Sequence, residues 1–208
     1  MSTFDIPLRL QSAHQVREIE HRLHEIVPWL RNSDSPYFEL LFVGLDGDTM
    51  TRRWLTRSDS EIALAQAHVL SAADRIIGGF IGCAGRQLAR RREADIIDLA
   101  RQIGDPGSPK LRMQIRDIYT LSSPVPTHEY YLSKLGAIDG METHQPQQFL
   151  LESCIERARR VGFDGVRVDI DESDRVLSRL FVDNGFEVID RRKAPVSNVR
   201  YLNLVKPL

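Results

Sequence analysis

The chain has 208 residues, carries 28 Lys+Arg against 29 Asp+Glu, and is 42% hydrophobic and 7% aromatic. This is enough chain for one full core, and it is too apolar and too nearly neutral for a disordered segment or for a nucleic-acid binder that rests on a basic surface. No apolar run reaches the roughly 18–20 residues that span a bilayer, and Met1–Leu10 lacks the basic-then-apolar order of a signal peptide. The expectation is a single soluble domain over 1–208, cytoplasmic, with no nucleic-acid and no membrane partner. Cys83 and Cys154 both fall in apolar patterns and are expected as free buried thiols.

Phe4–Leu10 alternates apolar and polar residues as a strand does, and Pro7 favours an edge position. Ser12-Ala13-His14-Gln15 has the form of a capping box, followed by Val16, Ile19, Leu23, Ile26, Val27 and Leu30 at helical spacing. Pro28 is expected to kink or end that helix. Tyr37–Leu45 fits strand or helix, and Gly44–Asp48 reads as a loop. Ala67–Ala73 and Ile76–Cys83 read as a hairpin around Asp74-Arg75. Gly78, Gly79 and Gly82 in its second strand point to a bulge or close packing. Arg86–Ile103 is helical, with an apolar stripe through Leu88, Ile96, Leu99, Ala100 and Ile103. Arg86, Arg90, Arg91 and Arg92 are assigned to its solvated face. Residues 104–109 break it, Leu111–Leu121 is ambiguous, and 122–126 is a loop.

The second half is sharper. Tyr130–Ile138 is a strand, and Gln145-Pro146 opens a helix whose apolar face is Leu150, Leu151, Cys154, Ile155 and Ala158. Gly162 stops it before the strand Val166–Ile170. Ser173 is placed as the cap of a further helix with Val176, Leu177, Leu180 and Phe181 inward, and Asn184-Gly185 closes it. Strands at Phe186–Ile189 and Val199–Val205 complete a β-α-β-α-β-β order on a mixed sheet.

Common catalytic spacings are absent: no G-x-S-x-G, no G-x-x-x-x-G-K-[ST], no H-E-x-x-H and no C-x-x-C. His14, His21 and His24 share the first helical pattern without a converging carboxylate, so no metal site is assigned. Glu129, at the head of the fourth strand beside Tyr130 and Tyr131, is a candidate base, with a solvated strand-end carboxylate as the plain alternative.

Tyr131-Leu132-Ser133-Lys134-Leu135-Gly136-Ala137, a loop, and then Leu150-Leu151-Glu152 resemble the strand–loop–helix of the GNAT acetyltransferases. A second element, from Asp174 through Leu180-Phe181 to Gly185-Phe186, is similar to that superfamily's N-x-x-A-x-x-L-Y-x-x-x-G-F. Ile76–Ile81 matches its third strand more loosely, and residues 86–121 then form a helical insertion between the third and fourth strands. The resemblance implies an α/β (α+β) fold: a mixed, mostly antiparallel central sheet flanked by helices.

It also implies an N-acyltransferase that moves an acetyl or other acyl group from acyl-CoA to the amine of a small molecule or peptide. In that superfamily the pyrophosphate rests on the loop and the following helix N-terminus, and the pantetheine arm pairs with the fourth strand. Carried over, Leu135, Gly136, Ala137, Thr143, His144, Gln145, Gln147, Gln148, Asp174 and Phe181 would face the cofactor, and Glu129 and Tyr131 the chemistry. The loop pattern [QR]-x-x-G-x-[GA] is replaced by Glu142, Gln145 and Gln147, and Pro146 removes one N–H. Phe181 stands where a proton-donating Tyr is common, and Asp174 where Asn is. These departures keep open a GNAT-fold binding or regulatory protein, and an acyltransferase that uses a carrier-protein thioester. A homodimer is compatible with either.

Overall fold

The computed structural model describes residues 8–104, 108–138 and 145–208. Its elements are β1 (Leu8–Ser12), α1 (Leu23–Asn32), α2 (Ser35–Leu41), α3 (Gly47–Thr56), β2 (Ala67–Ala72), β3 (Arg75–Ala84), α4 (Gly85–Ile103) and α5 (Pro109–Leu121). They continue with β4 (Glu129–Ala137), α6 (Gln145–Val161), β5 (Gly165–Asp171), α7 (Arg175–Asp183), β6 (Glu187–Lys193) and β7 (Arg200–Pro207). One seven-stranded sheet runs in the order β1-β2-β3-β4-β5-β7-β6. Every neighbouring pair is antiparallel except β4 and β5. The mixed, mostly antiparallel sheet and the two helices between the third and fourth strands are as expected. Among the described residues no helix is long and apolar enough to cross a membrane.

The sheet separates two cores. On one face Trp29, Leu30, Phe38, Trp54, Leu99 and Ile118 of α1–α5 pack on Val69, Ile76 and Ile81. On the other, Leu150, Leu151, Cys154, Leu177 and Phe181 of α6 and α7 pack on Phe80, Leu132, Val166, Val168 and Leu204. Both cysteines are free and buried.

Local chemistry shifts several boundaries. The strand residues Phe4 and Ile6, with Pro7, lie outside the described residues. Ser12 does not cap a helix: it ends β1, and its hydroxyl bonds the His14 ring at 2.9 Å. Two 3-10 turns follow, and Glu18, held left-handed at φ 53°, interrupts the pattern so that α1 begins only at Leu23. Pro28 does not end α1, which continues to Asn32. Tyr37 lies in helix, with Pro36 in the first turn of α2, where a missing N–H costs nothing. The hairpin turn is Ala73-Asp74, both left-handed, one residue earlier than the sequence suggests. Leu111–Leu121 is helical as part of α5. Asp174, not Ser173, caps α7 by accepting the Leu177 N–H at 2.8 Å. Gly162 and Gly185, at φ 89° and 79°, close α6 and α7 as left-handed caps.

Two irregularities aim the site. Along β3 and β4, Ile81 faces Lys134 but Gly82 faces Leu132, so Ser133 is an extra residue on β4. Side chains alternate along a strand, and one inserted residue resets the alternation. Ser133 and Lys134 therefore both point to the α1–α5 face, between Tyr131 on that face and Leu135 on the other. The corner between α1 and α2 lies directly over this bulge because Gly136 has no side chain. A Cβ there would sit 2.9 Å from the Trp29 carbonyl oxygen and from Ser33 Cβ.

Candidate active site

β4 and β5 pair only through Glu129–Gly165, Tyr130–Val166 and Tyr131–Arg167, then diverge. The gap is a cavity of about 150 Å³ between Ser133–Leu135 on one side and Val168–Asp171 on the other. Leu177 and Phe181 close it from α7, and Asn32–Pro36 from the α1–α2 corner. Beyond Tyr131, β4 has no parallel partner in β5, so its backbone on that side is free to bond something else.

The polar half of the site is buried on the α1–α5 face. Arg92 of α4 donates to Glu61 Oε2 at 2.9 Å and to the Tyr131 hydroxyl at 2.8 Å. Glu61 also accepts the Ser133 hydroxyl at 2.5 Å. Asp169 of β5 accepts from Tyr131 Oη at 3.0 Å, Ser123 Oγ at 2.8 Å, the Ser123 N–H at 3.3 Å and Asn203 Nδ2 at 2.8 Å. All four acceptor positions of that carboxylate are used. Burial pushes the Tyr131 hydroxyl well up, helped by the Asp169 charge, so it stays protonated. Arg92 lies 4.8 Å over the Tyr131 ring and is held in its charged form by Glu61.

Asp34, in the α1–α2 corner, lines both the cleft cavity and a small polar cavity behind it. Its Oδ2 accepts Lys134 Nζ at 2.5 Å, and its Oδ1 accepts the Tyr201 hydroxyl. Lys134 Nζ also sits 4.2 Å over the Tyr37 ring. The side chains of the ion pair are 3% and 8% exposed. Desolvation raises the Asp34 carboxyl above the usual range, outweighing Lys134 and Tyr201, which pull it down. Asp34 therefore differs from Asp169 in that each oxygen keeps a free lone pair.

The residues singled out from the sequence fall in several places. Glu129 is at the closed end of the cleft, where β4 and β5 are still paired, and Arg167 clamps both its oxygens at 2.6 and 3.1 Å. Both its oxygens are thus committed to Arg167, and Glu129 is not among the residues that line the cleft cavity. Tyr131 belongs to the buried network, tied to Arg92 and Asp169. Leu135 lines the cavity. Gly136 and Ala137 lie farther along the diverging strand, the former with its side toward the α1–α2 corner. Glu142, Thr143 and His144 lie outside the described residues, and Gln145 opens α6.

Gln147 and Gln148 line a groove of about 480 Å³ between α6 and α7 with Arg175, Val176 and Arg179. Val176, expected inward, is exposed in that groove. Gln148 exchanges amide bonds with Asn184 at 2.9 Å, joining the two helices. Asp174 caps α7 at the cavity wall. Phe181 is fully buried against Phe186, with ring centroids 4.9 Å apart, and it also lines the cleft cavity.

Sequence reasoning missed Asp34, Glu61, Lys134, Asp169 and Tyr201, and put Arg92 on a solvated face although its side chain is only 11% exposed. One signal was present. Val166-Arg167-Val168-Asp169-Ile170-Asp171 alternates apolar and charged residues in a strand now seen at the middle of the sheet. Charges on the second face of a central strand must be paired, so they mark a buried polar site.

The Glu61 segment is held by α4. Asp95 accepts the Glu61 N–H at 2.8 Å and Ser60 Oγ at 3.1 Å, and Arg57 approaches at 3.4 Å. Burial, with the Glu61 charge adding to it, pushes the Asp95 carboxyl up to about 7. A raised acid binds its proton more tightly in the folded state, so stability falls as pH rises from the unfolded value toward 7. Urea denaturation is expected to show a loss of about 3 kcal/mol between about pH 5 and about pH 7, from ~1.4 kcal/mol per pH unit. Asp95→Asn should remove that slope; an equal slope in the variant would locate the titration elsewhere.

No protein-family model and no curated protein matches the sequence. Solved structures do. An N-acetyltransferase from Staphylococcus aureus Mu50 superposes with a TM-score of 0.66 at 12% identity, over 95% of this chain and 100% of that one. A protein described as an acetyltransferase gives 0.63 at 14%, over 96% and 98%. A GCN5-related N-acetyltransferase from Kribbella flavida gives 0.53 at 16%, over 97% and 98%. The diverging β4 and β5, the sheet order and these full-length superpositions together identify the chain as having the fold of the GNAT acetyltransferases.

Proposed function

We propose that the chain is an acyl-CoA-dependent N-acyltransferase that transfers an acetyl group to the amine of a small molecule or peptide. The observation that carries this reading is the cleft itself: a free strand edge on β4 opposite a buried Asp34–Lys134 pair in a small cavity. Bound acyl-CoA would supply the thioester. The described residues suit it. The free backbone from Leu135 to Ala137 can pair with an amide-bearing arm, and the α6–α7 groove offers Arg175 to phosphates, together with Arg179, which is ion-paired at the surface with Asp183. That positive charge offsets the acidic substitution at Asp174, whose carboxylate is occupied as a helix cap.

Asp34 takes the proton of the attacking amine on a carboxylate oxygen that has a free lone pair. Lys134 Nζ gives a proton to the departing sulfur, replacing the hydroxyl that Phe181 lacks. A transfer from Asp34 to Lys134 across 2.5 Å then restores both groups. The cavity also carries Asp169, Asp171 and Asp174, which favours an acceptor that arrives as a cation.

Calorimetric titration with acetyl-CoA, followed by thiol release over a panel of amines, tests this. Saturable heat and amine-dependent release are expected. The double variant Arg175→Gln, Arg179→Gln should weaken the titration about tenfold or more, on the scale of charged hydrogen bonds. Absence of heat would leave a GNAT-fold binding protein. Release only from an acylated carrier protein would move the donor to a carrier thioester.

A further inference from the structure

At the opposite end of β3 from the α1–α2 corner, a second cavity of about 170 Å³ lies between the start of α4 and the last turns of α6. Its polar lining includes Arg86, Arg157, Tyr130, His68 and Gln66, and no Asp or Glu is among the described residues that line it. Tyr130 is 5% exposed. Arg157 lines the same space, and its positive charge opposes the rise that burial imposes on the Tyr130 hydroxyl. The His68 ring stacks on Phe80 at 4.6 Å, and its buried Nδ1 has no hydrogen-bond partner among the described residues.

A half-buried Arg157, an exposed Arg86 and the unmatched His68 Nδ1 surround a hollow with no carboxylate among the described residues, and its field favours a negative guest. Ala84, at the lip, precedes α4 without a side-chain cap, and no acidic residue lies in that helix's first turn. Its first N–H groups add to the same field. The competing negative end of α6 is closed on itself, because the Gly162 and Phe163 N–H groups bond the Arg159 and Ala158 carbonyls. Cys83 also lines the space, but burial pushes its thiol up to about 12 and leaves it neutral.

We propose that this cavity binds a compact oxyanion, a phosphate or carboxylate group, held by Arg157, Arg86 and the Tyr130 hydroxyl. The site is separate from the β4–β5 cleft and does not depend on the transferase reading. Isothermal titration with orthophosphate and with malonate, at constant ionic strength maintained with chloride, tests it and distinguishes the two sources. Saturable one-to-one binding of either anion is expected. Arg157→Gln should weaken it at least about tenfold, the loss of one charge-assisted contact. Arg86→Gln should weaken it too and keeps the test alive if the first variant does not fold. Arg175→Gln, in the α6–α7 groove, should leave this binding in place. No saturable heat with either anion, or equal affinity in the folded Arg157 and Arg86 variants, would overturn the assignment.

Discussion

Lys134→Ala is expected to cost about 3–5 kcal/mol of folding stability, the range for removing one partner of a buried ion pair. Lys134 is 3% exposed and its Nζ faces Asp34 at 2.5 Å. Without it, Asp34 keeps only the Tyr201 hydroxyl, in surroundings that already raise its proton affinity. The variant must either bury a lone carboxylate or hold a proton there. Its deficit should therefore narrow as pH falls, because protonation removes the unpaired charge. The double variant Lys134→Met, Asp34→Asn should recover most of the loss, since neutral side chains avoid both desolvation penalties. Equilibrium urea denaturation at two pH values reads all three. A single variant as stable as the parent would mean that the pair is solvated in solution, and the cleft would lose its buried acid–base couple.

Some of this architecture was open to reading from the residues, and the part that was not has definable causes. The second half was clear because its periodicities are long and its caps are strong: Gln145-Pro146 at one helix start, Gly162 and Gly185 at two ends. α2 was obscured because Tyr37–Leu45 is short and aromatic, which suits strand or helix equally. The site was harder still. Lys134 and Ser133 occupy adjacent positions that simple alternation assigns to opposite faces, and only the bulge brings both to Glu61 and Asp34. Arg92 follows three other arginines in a helix that reads as solvated, yet the helix turns it toward Glu61 and Tyr131. Asp34 and Glu61 come from connections, and nothing local announces a loop carboxylate that folds inward. Glu129 attracted attention because it heads the matching strand, but strand position does not tell which end of a parallel pair opens.

Asp34→Asn is expected to lower turnover about 10²–10⁴-fold, the usual range for a positioned acid–base group. The argument rests on what each cavity carboxylate already holds. Asp169 is filled by four donors, Asp174 caps α7, and Asp171 is tied to the Ser173 N–H and hydroxyl at 3.0 and 2.6 Å. Asp34 has one donor on each oxygen, and burial raises its carboxyl from the ordinary value, so it combines a free lone pair with a raised proton affinity. In the parent, the rate should fall on the acid side as Asp34 gains its proton. That limb should lie above the ordinary carboxylate range because the folded value is raised. Asn keeps an acceptor for Tyr201 but cannot take a proton, so the limb should disappear along with the turnover. Glu129→Gln, by contrast, should keep the limb, because its partner Arg167 lies where the strands are still joined. If the limb survived in Asp34→Asn and vanished in Glu129→Gln, the base would lie at the closed end of the cleft and the Asp34 assignment would fall.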